Sequence, residues 1–357
     1  MAAVSARGLY KVFGPRPQEA VQRLQQGEPV ADVRADGATP AVVDVDLEVQ
    51  PGEISVVMGL SGSGKSTLIR MLNGLLEPTA GSVHVGDVEL TGLDEDGLRR
   101  LRQERLSMVF QHFALLPHRT VLDNAAYALE IRGVERAERR RRGAEALEMV
   151  GLGDRAGNRP SELSGGMQQR VGLARALASG TDVMLMDEAF SALDPLIRRE
   201  MQDQLVELQR SLGRTVVFIT HDLNEAMRIG DRVAVMREGR VVQSGTPTEI
   251  LRAPADDYIT SFLADVDRSR VFTAEDVMAP PAPVDGELHR MPRAGLRTPL
   301  ADLLQPAATG GGSVAVTDDA GEVVGVVTAA SMLSALGTGS DEPPTGAPTT
   351  SEEALRG

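Results

Sequence analysis

The sequence predicts an α/β fold with a parallel sheet at its core, a helical insertion, and a smaller module behind it. Three observations carry this. Continuous apolar runs recur at ISVVM (54–58), VMLM (183–186) and VVFI (216–219), and such runs suit strands covered on both faces. Helical patterns separate them, TLIRMLNGLL (67–76) and PLIRREMQDQLVELQRSL (195–212). Strand alternating with helix argues an α/β core. At 357 residues the chain is long for one domain, and its texture changes after about residue 265.

Taken in order, residues 7–14 (RGLYKVFG) form a short strand, and GPRPQEAVQRLQQGEP gives a short helix closed by glycine. VVDVDLEVQ (42–50) alternates apolar and polar residues like a half-exposed strand. PGE (51–53) is a turn into ISVVM. The block 113–162 is mostly helical in pattern and interrupts the core. We divide the chain at 1–265, 266–336 and 337–357. APPAPVDGE (279–287) is linker-like, SVAVTDDAGEVVGVVT (313–328) gives two strands around a turn, and AASMLSAL follows as a helix. The polar, Pro/Gly-rich end is expected to be disordered.

Composition excludes several classes. There is no cysteine, hence no disulfide and no thiolate metal site. No apolar run reaches the roughly 18 residues of a spanning helix, and MAAVSARGLYKVFG lacks the apolar stretch of a secretory signal. These features point to the cytoplasm. The net charge of −14 disfavours nucleic acid as the main partner. RAERRRRGAEAL (136–147) is the one basic run, and its interspersed Glu marks a solvated helix face. Nearly all cations are arginine; the lysines are Lys11 and Lys65 alone.

Lys65 lies in GLSGSGKST (59–67), which fits the pattern of a loop that cradles phosphates, with a strand running in and a helix running out. Gly59, Leu60, Ser61, Gly62, Ser63 and Gly64 would turn their N–H groups toward phosphate oxygens, and the helix starting through Lys65, Ser66 and Thr67 adds its positive end. Lys65 would reach the β- and γ-phosphates of ATP, and the Ser66 hydroxyl would ligate Mg²⁺. In MLMDEAFSALD (184–194) an apolar strand ends in Asp187, which becomes the second Mg²⁺ anchor, through water. Glu188 follows and would orient and deprotonate the attacking water. FITHD (218–222) puts His221 at another strand end, at the γ-phosphate. Gln111, ending the apolar stretch of MVFQHF, would touch both Mg²⁺ and the water.

A second grip follows the helical insertion. LSGGMQQRVGLARAL (163–177) puts Ser164, Gly165 and Gly166 at the start of a long helix, another anion site. One ATP does not need two grips from one chain. The economical arrangement is head to tail, each ATP held by Lys65 of one copy and Ser164 of the other.

Taken together, GLSGSGKST, Gln111, LSGGMQQR, MLMDE, SALD and His221, in this order, resemble the ATP-binding-cassette (ABC) ATPases over residues 7–265. The resemblance implies a P-loop NTPase core with an antiparallel β subdomain and a helical insertion. It implies that Ser164, Gly165, Gly166 and Gln168 close on the partner's nucleotide, that Asp194 communicates across the interface, and that an aromatic near the N-terminus stacks on adenine. Phe13 is the candidate and Tyr10 the alternative; a buried core aromatic is the third possibility.

Longer stretches, MGLSGSGKSTLIRMLNGLLEPTAG, MVFQHFALLPHRTVLDNAAYALE, DEAFSALDPLIRREMQDQLVELQ and HDLNEAMRIGDRVAVM, look like the ATPase subunits of glycine betaine/proline (quaternary-amine) importers. That implies a homodimer at the cytoplasmic face of the membrane, a permease, and indirectly a solute-binding protein, with osmoprotectant cargo. Phe113, Leu115, Leu116 and Pro117 would either form the permease socket or pack within the insertion. TAEDVM, PLADLLQ and SVAVTDDAGEVVGVVTAASMLSAL look like pieces of one CBS module, where that subfamily often has two. Either two chains pair their modules or the tail has lost sensing. Two rival readings, an ABC ATPase of another importer and one acting on nucleic acid, share the cassette; the second usually brings a long coiled coil, and no heptad run exists here. A purely regulatory nucleotide sensor is a third, against which Glu188 and His221 argue for turnover.

Overall fold

Backbone hydrogen bonding and apolar pattern together fix the elements in the computed structural model, which describes residues 1–111, 114–281, 288 and 290–337. The chain divides into two units, Met1–Val266 and Asp267–Gly357.

The first unit opens with β1 (Val4–Phe13), then α1 (Pro17–Gln25) and α2 (Val30–Ala35), then β2 (Thr39–Val49). Between its two strands this insert packs Val21, Leu24 and Val33 against Tyr10, Val12 and Val43 in a small core of its own. The second helix has no counterpart among the expected elements, because its six residues are too few for a period to show. β3 (Ile54–Met58) leads to α3 (Lys65–Leu72), β4 (Ala80–Val85), β5 (Val88–Glu89), α4 (Glu95–Arg105) and β6 (Leu106–Val109). The expected helix over 67–76 stops early. Asn73 Oδ1 accepts from the Leu75 N–H at 2.9 Å and Gly74 turns to φ +67°, so an Asn-Gly turn ends it.

The insertion holds α5 (Val121–Ala125), α6 (Tyr127–Ile131) and α7 (Arg136–Met149), and α8 (Gly165–Ser179) follows it. The core resumes with β7 (Val183–Asp187), α9 (Pro195–Leu212), β8 (Thr215–Thr220), α10 (Leu223–Ile229), β9 (Arg232–Arg237) and β10 (Arg240–Gly245), and ends on α11 (Pro247–Arg252) and α12 (Asp257–Phe262).

Two sheets result. One is antiparallel, in the order β2-β1-β4-β5; the other runs β10-β9-β3-β8-β7-β6 and is parallel except for β10. Helix α3 supplies Leu68, Ile69, Met71 and Leu72 to a core shared with residues of both sheets, and each of the four is fully buried. Each such side chain contributes about 1.5–3 kcal/mol, so the helix that follows the phosphate loop is firmly anchored. The parallel register sets Asp187 level with Ile219, and Met58 level with Thr220. The carboxyl ends of β3, β6, β7 and β8 therefore share one edge, where open α/β sheets bind ligands.

The second unit holds α13 (Arg268–Val271), α14 (Ala274–Val277), β11 (Arg293–Gly295), α15 (Leu300–Thr309), β12 (Ser313–Thr317), β13 (Val323–Thr328) and α16 (Ala329–Leu336). Its sheet runs β11-β12-β13, with Val314, Val316 and Val327 buried. Most of the 279–287 segment and nearly all of the 337–357 tail lie outside the described residues. Among the described residues no helix is long and apolar enough to cross a membrane.

Candidate active site

The phosphate loop leaves β3 at Met58 and is shaped by glycine. Gly59, Gly62 and Gly64 take φ of +152°, +81° and +105°. A Cβ on Gly59 would meet the Met236 carbonyl oxygen of β9 at 2.2 Å, and one on Gly64 the Ala41 carbonyl oxygen of β2 at 2.2 Å. The loop is thus pressed against both sheets at positions only glycine fits. Leu60, Ser61 and Gly62 form its exposed crest, Ser63 is buried, and Thr67 is half-buried on α3. The Gly239 N–H donates to Ser63 O at 3.0 Å.

Lys65 is buried at the start of α3. Its Nζ donates to Gly59 O at 2.7 Å, Leu60 O at 2.9 Å and Ser63 Oγ at 3.4 Å. Burial draws its pKa down, while the nearby Glu188 and Asp187 charges push it back up. The ammonium is thus held in place within the loop by the loop's own oxygens.

Next to it, Ser66 Oγ lies 3.4 Å from Asp187 Oδ1. Burial raises the Asp187 carboxyl, and the Glu188 charge raises it further. A hydroxyl and a carboxylate in contact are oxygen donors that suit Mg²⁺, which takes one or two protein ligands and completes its shell from phosphate and water. Gln111 is exposed just beyond β6, at the same sheet edge.

Glu188 turns the chain out of β7 with φ +45°, a left-handed strain of the kind that collects at functional sites. Its N–H donates to Ile219 O at 3.0 Å, which ties it to β8. Its carbonyl accepts from Ser191 N–H at 3.1 Å and Ser191 Oγ at 2.9 Å. Glu188 Oε2 is 3.1 Å from His221 Nδ1. Loop, lysine, hydroxyl, two carboxylates and imidazole thus gather at one edge.

The second grip is built as a helix start. Ser164 caps α8 by accepting from Met167 N–H at 3.4 Å, and Ser164 and Gly165 are exposed. A Cβ on Gly166 would strike Ile197 Cγ2 at 2.7 Å, so glycine lets α8 lie close to α9. The Gln168 amide donates back to Pro160 O at 3.0 Å and Leu163 O at 3.2 Å, bracing the turn before the helix. Asp194 is exposed and caps α9 by accepting from Ile197 N–H at 3.1 Å. Among the described residues no hydrogen bond joins 163–168 to the loop at 59–67.

Of the two aromatics considered for adenine, Phe13 is 42% exposed and Tyr10 only 4%. Tyr10 is part of the core of the α1–α2 insert and has no ring face to offer. Lys11 Nζ sits 5.3 Å from the Phe13 ring centroid, a cation–π contact.

Sequence reasoning missed a groove beside Gln111. It measures about 470 Å³ and is walled by Met108, Phe110, Tyr127, Ile131 and Arg175 among others. Arg175 Nη1, from α8, donates to Ala114 O at 2.7 Å. Leu115 and Leu116 are half-buried, and Asn124 bonds both the N–H and the carbonyl of Leu116. Phe113 lies outside the described residues.

Residues 42–191 match the family described as ABC transporter. The chain is 43% identical over 389 aligned positions to the glycine betaine/carnitine transport ATP-binding protein GbuA of Listeria monocytogenes, covering 94% of this chain and 98% of that one. It is 50% identical over 334 positions to the glycine betaine/proline betaine transport system ATP-binding protein ProV of Salmonella typhimurium, covering 93% and 82%. Among solved structures it is similar to an ATP-binding cassette dimer in a post-hydrolysis state bound to ADP and Pi, with TM-score 0.58 and 32% identity, covering 68% of this chain and 98% of the other.

Proposed function

This chain belongs to the ATP-binding subunits of ABC transporters, and from that premise we propose that it powers import of an osmoprotectant such as glycine betaine, proline betaine or proline. It is an ATPase that uses ATP with Mg²⁺ and couples hydrolysis to transport. The cargo rests on the relatives' names, because the ATPase residues recognise nucleotide and not solute.

The roles of the residues are our reading. The backbone N–H groups of 59–64 and Lys65 bind the phosphates of ATP. Ser66 and Asp187, with Gln111, would hold Mg²⁺, which when bound neutralises charge on the phosphate oxygens. Glu188 accepts the proton of the attacking water, and His221 fixes the carboxylate and faces the γ-phosphate. Phe13 stacks on adenine. Ser164, Gly165, Gly166, Gln168 and Asp194 serve the nucleotide of a second copy, although Gln168 already spends its N–H donors within its own chain. The observation that carries the reading is the convergence of Lys65, Ser66, Asp187, Glu188 and His221 on one edge while the Ser164 grip faces solvent.

The dimer, docked on permease subunits at the cytoplasmic face of the membrane, would be served indirectly by a solute-binding protein. The groove of Met108, Phe110 and Ile131 supports a socket for a permease helix, in place of the Leu116 segment tied down by Asn124. We read 266–336 as one CBS-like module, paired between two chains or without a sensing role. A nucleic-acid role is disfavoured by the basic run of α7: Arg140 pairs with Asp123 at 3.3 Å and Arg141 with Glu138 and Glu145 at 2.8 and 2.6 Å.

The test is size in solution. Glu188→Gln with Mg·ATP is expected to form a dimer that wild type forms only transiently. Adding Ser164→Arg is expected to return it to monomer with ATP still bound. A monomer in the first case rejects the shared-nucleotide reading; lost ATP binding in the second places Ser164 in its own chain's pocket.

A further inference from the structure

Arg198 lies in the first turn of α9, away from the phosphate loop in sequence. Its side chain is the hub of two loops. Nε donates to Phe190 O at 3.2 Å, and Nη2 donates to Ser191 O and Leu193 O, each at 3.1 Å. These three carbonyls belong to the loop that starts at Glu188 and ends at Asp194. Nη1 donates to Asp222 Oδ2 at 3.2 Å, in the loop after β8.

Asp222 is itself built into the His221 segment. Its N–H donates to Thr220 Oγ1 at 2.9 Å, and its Oδ1 accepts from the Glu225 N–H at 3.1 Å. The Thr220 hydroxyl donates to the buried Glu225 carboxylate, which also accepts from Gln202 Nε2 of α9 at 3.0 Å. The residues on both sides of His221 are therefore held from α9, and Arg198 holds the Glu188–Asp194 loop from the same helix. A planar guanidinium can serve four acceptors in fixed directions; an ammonium cannot.

We propose that Arg198 is a positioning residue that locks the His221 segment to the loop carrying Asp194, so that both move as one body. Occupancy at the γ-phosphate edge then reaches the exposed Asp194 without any contact between Asp194 and the chain's own nucleotide. This rests on the site reading above, and its test separates the two.

The experiment measures ATP turnover and Mg·ATP affinity, the latter by a fluorescent nucleotide, for Arg198→Met, Arg198→Lys, Asp222→Asn and the Met/Asn double variant, with Glu188→Gln alongside. Asn keeps the helix cap of Asp222. For Arg198→Met we expect kcat to fall by about 10- to 100-fold, as misplacement of a reacting group does, with affinity within about 2-fold. Arg198→Lys is expected to recover less than about a tenth of the lost rate, and it carries the test if the Met variant melts early. The double variant is expected to be no slower than the worse single one, since both cut the same link. Wild-type turnover in both Arg198 variants, or multiplied losses in the double variant, overturns the brace. If Glu188→Gln still turns over, the site reading fails and the brace with it.

Discussion

His221 Nδ1 stands 3.1 Å from Glu188 Oε2, joining the carboxyl ends of β8 and β7 across adjacent strands. Glu188 is mostly buried and His221 half-exposed, so the imidazole covers the carboxylate from the solvent side. A base must be aimed before it is useful. His221→Ala is expected to lower ATP turnover by about 100-fold or more, with Mg·ATP affinity changed only a few-fold. Steady-state kinetics with parallel binding titrations check this. Turnover near wild type would remove His221 from the catalytic set.

Gly64 supports a second expectation. It has φ +105° and its missing Cβ faces the Ala41 carbonyl oxygen at 2.2 Å. Gly64→Ala combines a strained backbone with a clash against main chain that has no rotamer to yield. We expect a loss of about 1–3 kcal/mol of stability and ATP affinity reduced by about 10-fold or more, because the loop must lift away from β2. Chemical denaturation and nucleotide binding measure the two effects. Gly62→Ala, whose Cβ would meet no atom within 4 Å despite its φ of +81°, is expected to be milder.

Glu225 gives a pH dependence. Burial raises its carboxyl, the Thr220 and Gln202 hydrogen bonds oppose this, the Asp222 charge adds to it, and the Arg198 charge lowers it. A carboxyl raised on folding binds its proton more tightly in the folded state. Its contribution is full below the unfolded value near about 4.3 and is lost as pH rises through the raised folded value. Glu225→Gln has no such loss. Relative to wild type, the variant is therefore expected to gain stability between mildly acidic and neutral pH, and the gap should close as pH falls toward about 4. Melting curves across that range decide it; a constant difference would mean that Glu225 does not titrate there.

Much of the site was legible because its parts are local. GLSGSGKST carries the turn, the glycines and the helix start within consecutive residues, and MLMDE and FITHD each read as a strand with its functional group at the end. Long helices were legible too: α9 spans the expected 195–212, since eighteen residues show their period plainly. Short elements were not. Helix α2 and the end of α3 depend on an Asn-Gly turn and on packing that a six-residue window cannot display.

The groove beside Gln111 and the Arg198 brace were invisible for another reason. Their residues are individually unremarkable, and meaning arises only when β6, α6 and α8 bring Met108, Ile131 and Arg175 together. The aromatic near the N-terminus shows the same limit. Phe13 and Tyr10 sit on one strand three residues apart, and only the packing of α1 and α2 decides that Tyr10 is buried and Phe13 exposed.

By itself the sequence singled out the groups that we propose take part: the phosphate loop, its lysine, the strand-end carboxylates, the histidine and the helix-capping Ser164. Each is specified by neighbours along the chain. Tertiary structure decided which of them meet. Ser66 and Asp187 are 121 residues apart and touch only because β3, β8 and β7 are ordered side by side in a parallel sheet. That order goes with the burial of α3 against residues of both sheets, a balance of apolar area summed over the whole unit, which no local stretch encodes.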